Sequence, residues 1–340
     1  MITTTTDRIA CSSIDTSPEH ASSAVRTGGT RTSFPILVAV DDDACGESAL
    51  ALAQALVRDR GALPTVLHVV EIGAGGGGVG VGMSMLVETF AHDPDFIALH
   101  TNQLRRRFQS VAPLDRWPVT IHAGDPTAGI LETARELRPA LIVMGLGHHG
   151  RVGRIVGDDT TREVMRDGIA PVLALPPLAA PYRPSNRLPA RVLVAMDFST
   201  ASMRAARLAR SIMQEDGELY LAHVRFPMLS EEGERYEGMQ RVHTAGIDAA
   251  FDAVVRELSG GPLTITPLIR DGDPAAALSA LAMTLQPDLI AIGSQRHHWL
   301  ERMLLGSVAR AMADDGRWPV LVTPPERRPD SPSGGEQTRT

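Results

Sequence analysis

Short apolar runs, too continuous to be strands buried on one face only, alternate along this chain with longer stretches of helical spacing. Pro35–Asp41 (PILVAVD), Val66–Glu71 (VLHVVE), Ala140–Gly145 (ALIVMG) and Ala170–Pro176 (APVLALP) are runs of the first kind. Leu50, Ala53, Leu56 and Val57 form one apolar helical stripe, and Ala205, Leu208, Ala209 and Ile212 form another. The two stripes stop near Gly61 and Gly217, read as helix-stop glycines. In His122–Leu131 (HAGDPTAGIL) and Arg270–Ser279 (RDGDPAAALS), Asp125 and Asp273 read as N-caps, with Pro126 and Pro274 at the first helical position.

The pattern occurs twice. Arg191–Asp197 (RVLVAMD), Tyr220–Phe226 (YLAHVRF), Asp288–Gly293 (DLIAIG) and Trp318–Pro324 (WPVLVTP) repeat the first set in the same order. The offset is 156 between Asp41 and Asp197 and 148 between Gly145 and Gly293, so it is nearly constant. Five matched segments in one order indicate an internal duplication. Strands alternating with helices predict an α/β fold: two tandem doubly wound domains, each a five-stranded parallel sheet with about four flanking helices. The predicted organisation is an N-terminal tail over 1–33, a domain over 34–177, a linker over 178–187, a second domain over 188–325 and a tail over 326–340. Thr, Ser, Arg and Gly in the first tail, and RRPDSPSGGEQTRT in the last, read as disordered. The proline-rich Pro177–Pro189 carries no helical pattern.

Composition narrows the function. Aromatics are only 4% of the 340 residues, so the cores must be built from Ala, Val, Leu and Ile. A net charge of -7 without a dense basic run argues against nucleic acid as the partner. No secretory signal and no membrane span is read. Cys11 and Cys45 form no CxxC pair, which points to a reducing cytoplasm.

In a doubly wound sheet the ligand sits beyond the carboxyl ends of the strands, where strand order switches. Asp41 and Asp197, Val69 and Val224, and the loops after Gly145 and Gly293 fall there. The second of those loops, GSQRHHWLERMLLGSVAR (Gly293–Arg310), meets Gly306–Ser307 at an expected helix start, where backbone N–H groups and a hydroxyl can face a phosphate.

The sequence DFS (Asp197–Ser199), HV (His223–Val224), GDP (Gly272–Pro274), IGS (Ile292–Ser294) and GSV (Gly306–Val308) before PVLV resembles the universal stress protein family, over both repeats. The resemblance implies five parallel strands per domain. It also implies pairing of last strands, Val172–Leu175 against Val320–Val322, antiparallel across a pseudo-twofold axis, so that the chain is its own dimer. Further homo-oligomerisation is left open. Some family members bind ATP through a G-x2-G-x9-G-(S/T) loop, and no catalytic apparatus is general to them. The resemblance therefore implies a stress-response or regulatory protein, not an enzyme, with a slow ATPase as the lesser alternative.

Carried onto this chain, Ala195, Asp197, Val224 and Ile292 would face adenine or ribose, and Gly293, Arg296, Gly306, Ser307 and Val308 the phosphates of ATP, with Mg2+ held only through those phosphates. Arg296 replaces the middle glycine, and either blocks the approach of a phosphate or clamps it. The first repeat offers Asp41, Val69, Met144, Gly145 and Gly157. There Gly157 comes one position early, and Asp158 and Asp159 stand where a hydroxyl is expected. Each carboxylate would oppose a triphosphate by about 1–4 kcal/mol, so the first site reads as degenerate. A scaffold acting through protein contacts is the competing reading.

The remaining motifs read as structural. The pairs His148–His149 and His297–His298 complete no metal site, and His68 and His223 read as hydrogen-bonded strand histidines. Gly73–Gly82 reads as an insertion, Cys45 as a packing residue and Arg105–Arg107 as a solvated helix face.

Overall fold

The computed structural model describes residues 34–71, 90, 92–146, 157–176, 186–225, 234–294 and 306–324, with backbone alone at 157–159 and 234–244. The first repeat runs β1 (Phe34–Ala39), α1 (Ala44–Arg60), β2 (Ala62–Val70), α2 (Pro94–Phe108), β3 (Val119–Ala123), α3 (Pro126–Leu137), β4 (Leu141–Gly145), α4 (Gly157–Asp167) and β5 (Val172–Leu175). The second runs β6 (Arg191–Ala195), α5 (Thr200–Ile212), β7 (Glu218–Arg225), α6 (Glu234–Leu258), β8 (Thr264–Asp271), α7 (Pro274–Leu285), β9 (Leu289–Gly293), α8 (Ser307–Asp315) and β10 (Val320–Thr323).

The strands form one ten-stranded sheet in the order β3-β2-β1-β4-β5-β10-β9-β6-β7-β8. Every pairing within a repeat is parallel, as helical crossovers require. The repeats join at β5 and β10, which run antiparallel with Val172 opposite Val322, Leu173 opposite Leu321 and Ala174 opposite Val320. This is the pairing expected from the resemblance, made within one chain.

Both sheet faces are covered, which is why the central strands are apolar at nearly every position. One core holds Leu50 of α1, Leu104 of α2, Ala205 of α5 and Phe251 of α6. The other holds Ile130 of α3, Val164 of α4, Leu281 of α7 and Met312 of α8. Each core contains residues of both repeats. Side chains of Arg60 and Arg162 also make polar contacts between the repeats. Arg60 Nε donates to the Ser211 carbonyl at 2.9 Å near the end of α5, and Arg162 of α4 pairs with Asp314 of α8 at 2.8 Å.

Helix ends follow the local chemistry. Asp125 and Asp273 accept from Ala128 N and Ala276 N at 2.8 and 2.9 Å, each with proline in the first turn. Gly61 closes α1 at φ 68°. Gly217 does not close α5, contrary to the sequence expectation. That helix ends at Ile212 on an extended Met213, and a Cβ on Gly217 would overlap the Ala190 carbonyl, so close approach explains the glycine.

Candidate functional site

Strand order reverses between β1 and β4 and between β6 and β9, which opens a crevice at the carboxyl ends of each pair. The first wall of each crevice is the loop after the first strand. Both loops hang from the histidine of the second strand. His68 Nδ1 donates to the Val40 carbonyl at 2.9 Å, and His223 Nδ1 donates to the Met196 carbonyl at 2.8 Å. Val40 N and Met196 N in turn donate to Leu67 and Ala222 carbonyls. Asp41 and Asp197 are therefore each preceded by a residue bonded through both backbone groups to the second strand, and both carboxylates are exposed. The strand histidines are structural, as expected.

Beyond this shared frame the loops differ. Asp197 Oδ1 accepts from Ser199 N at 3.0 Å, and Ser199 caps α5 by accepting from Ser202 N. Between them Phe198 has φ 60° and lays its ring against His223 and, edge-on, against Phe251, both at 5.1 Å. In the first repeat Asp42 holds that place. It is ion-paired to Arg107 at 3.2 Å, while Arg107 also reaches Glu47 at 2.6 Å. Arg105–Arg107 are exposed, as expected of a solvated helix face, and Arg107 in addition ties the site loop to α2. The space beside His68 is filled instead from α2, by His100 at 6.3 Å and by Phe96, whose ring lies tilted against His100 at 4.4 Å. Burial, and then the neighbouring His68, hold the His100 imidazole below its ordinary pKa.

The second wall is the end of the fourth strand. Met144 and Ile292 are buried, and Gly145 and Gly293 follow them half-buried. A Cβ on Gly145 would overlap Cys45 Cβ, and one on Gly293 would overlap the Ser202 amide nitrogen. These glycines let the first helix of each repeat lie directly on the crevice strand. Cys45 is buried there and donates Sγ–H to the Leu146 carbonyl at 3.2 Å, which makes it a packing residue.

The strand ends of the second repeat are more polar. Ser294 and Thr323 stand where the first repeat has Leu146 and Leu175, and all four are buried. Thr323 Oγ1 donates to the Ala201 carbonyl at 3.0 Å. Ser294 Oγ has no hydrogen-bond partner among the described residues.

Ala195 and Ile292 are register partners across β6 and β9, which brings these two expected residues together. Val69 and Val224 are half-buried and pack toward the α3/α7 side. Beside Val224, Arg225 makes two bonds to Asp271 at 2.8 and 2.9 Å, which pulls the Asp271 carboxyl below the usual range. Because β9 and β10 are parallel, α8 must start at the crevice end of the sheet. It starts at Ser307, on an extended Gly306, with both residues exposed, Val308 half-buried and no side chain bonded into the cap. In the first repeat α4 already begins at Gly157. Arg296, His148–His149, His297–His298 and Gly73–Gly82 lie outside the described residues. Among the described residues no His, Cys, Asp and Glu cluster could hold a metal ion, and no helix is long and apolar enough to cross a membrane.

The model of the universal stress protein family matches residues 33–176 and again 190–324. The chain belongs to the universal stress protein family. A universal stress protein of Mycobacterium tuberculosis is 27% identical over 207 residues, covering 57% of this chain and 61% of that relative, so less than two thirds of its length is spanned. One from Methanocaldococcus jannaschii is 30% identical over 145 residues, covering 41% of this chain and 85% of the relative. Among solved structures, a universal stress protein from Archaeoglobus fulgidus superimposes with a TM-score of 0.55 at 21% identity, covering 86% of this chain and 98% of the other. That likeness shows the fold: two tandem universal stress protein domains, with an α/β core and a mostly parallel sheet.

Sequence reasoning missed Phe198, Asp42 and Arg107 as features of the site loops. The DFS and DDD triplets were visible, but which way the middle side chain turns depends on what the distant helices α2 and α6 supply.

Proposed function

We propose that this protein is a nucleotide-responsive regulatory protein that binds ATP in its second domain, between the Asp197 loop and the start of α8. The observation that carries this reading is the helix start itself. Among the described residues Gly306 caps α8 without a side-chain bond, and none stands within 4 Å of where its Cβ would be, the opening that a phosphate needs against first-turn N–H groups. Ala195, Asp197, Val224 and Ile292 supply the nucleoside side, and Gly293, Ser307 and Val308 the phosphate side, with Arg296 between Gly293 and Ser307 in sequence. Mg2+ would be held through the phosphates alone. Binding rather than turnover is the function, and the effect of the nucleotide is exerted on the protein's own surface.

The first domain takes a different part. Its site loop is tied outward through Asp42 and Arg107, and Asp158 and Asp159 stand at the start of α4. We assign it a scaffold role, exerted through its packing on the second domain.

Calorimetric titration with Mg-ATP tests the assignment. One site per chain is expected, unchanged in Asp42→Ala and lost in Gly306→Asp, which adds a negative charge at the helix start. At a hundredfold excess over Kd, ATP should add about 2.7 kcal/mol of stability. A wild-type protein that gives no heat and no shift in Tm with ATP refutes it.

A further inference from the structure

Phe198 stands in a left-handed backbone at the middle of the turn in which Asp197 Oδ1 accepts from Ser199 N, an unusual place for a bulky aromatic residue. Three non-glycine residues have positive φ among the described residues: Arg138, Phe198 and Gln286. Arg138 and Gln286 close α3 and α7, where a left-handed residue is routine. Phe198 ends no helix. It lies between a strand end and an N-cap, and a left-handed backbone there is a strain that the surroundings must hold in place.

The restraints are on the page. His223 is fixed by its bond to the Met196 carbonyl and Phe251 is buried, so the Phe198 ring rests on two immobile partners. On one side of Phe198, Met196 is bonded through both backbone groups; on the other, Ser199 is locked as the cap of α5. Turning φ back to the ordinary range would withdraw the ring and open the turn in which Asp197 Oδ1 accepts from Ser199 N, which re-aims Asp197. The equivalent Asp42 carries no ring and is tied to Arg107, so the device belongs to the second domain alone.

We infer that Phe198 is a positioning residue for the nucleoside end of the second-domain site, its ring wedged between His223 and Phe251 so that Asp197 is preset toward adenine or ribose. This rests on the nucleotide reading above. The device acts on recognition of the nucleoside and not on the grip of the phosphates, which belongs to α8.

Titration of the full chain with Mg-ATP and with inorganic tripolyphosphate tests this, using Phe198→Gly, Phe198→Tyr, Asp197→Ala and the Phe198→Gly/Asp197→Ala pair. Glycine adopts φ 60° freely, so Phe198→Gly removes the wedge without adding strain. The expected result is a loss of ATP affinity of about tenfold in Phe198→Gly, the scale of one charged hydrogen bond no longer preorganised. Tripolyphosphate binding stays unchanged, Phe198→Tyr binds as wild type, and the double variant is no weaker than Asp197→Ala. ATP affinity unchanged in Phe198→Gly, both ligands weakened together, or losses that multiply in the double variant would each overturn the inference. Should Phe198→Gly fail to fold, Phe198→Leu is read by the same criteria. A wild-type chain that binds no ATP removes the nucleotide reading itself, a result distinct from any of these.

Discussion

The rings of His68 on β2 and His100 on α2 lie 6.3 Å apart in the first domain, beside the loop that carries Asp41. His100 has its pKa depressed below 6.5, first by burial and then by His68. The folded state therefore favours neutral His100, and on acidification the unfolded chain takes up the proton first. The stability this group contributes is complete above about pH 6.5 and is lost as pH falls from there toward the lower folded-state value. Urea midpoints measured between about pH 7.5 and pH 5.5 should fall less in His100→Gln than in the wild type. Equal slopes would show that the pair carries no such linkage.

The two kinds of glycine in this fold should respond differently to the same substitution. Gly293→Ala forces a Cβ into the Ser202 amide, a rigid part of α5, and is expected to cost roughly 1–3 kcal/mol or more. Gly61→Ala meets none of the described residues within 4 Å and bears its left-handed φ of 68°, for a cost of about 1 kcal/mol. Denaturant unfolding should rank them in that order, and the reverse order would contradict the close packing of α5 on β9.

Asp125→Ala and Asp273→Ala each remove the side chain that accepts the first-turn amide of α3 or α7. Each should lower stability by about 1 kcal/mol. Asn in either place should restore most of that, because its carbonyl oxygen can accept the same bond.

Leu321 of β10 faces Leu173 of β5 where the domains meet, and both are fully buried. Leu321→Ala should cost about 2–5 kcal/mol. Each of the two cores spans both domains, so calorimetry should show one cooperative transition in wild type and variant alike, shifted down in the variant. Two separated peaks would mean that the joined sheet does not couple the domains.

Much of this architecture is written in short-range pattern. The Val/Ile/Leu runs mark strands because a strand covered on both faces has no polar side to show. The two GDP triplets mark helix starts because aspartate and proline satisfy local backbone demands at that position. The duplication is a matter of order and spacing, and the residues of the crevice follow from knowing where parallel strands end. Even the bonded state of His68 and His223 could be inferred, since a histidine inside a buried strand must find a partner.

What tertiary structure alone decided is how equivalent positions diverge. Gly217 reads like a helix stop, yet it is small because the Ala190 carbonyl, 27 positions earlier, passes over it. Asp42 and Phe198 occupy the same place in the two repeats, and local sequence does not say that one turns out to Arg107 while the other turns in against Phe251. Those directions are set by side chains on helices 65 and 53 residues away, because a loop conformation that costs energy by itself persists only where the folded surroundings hold it.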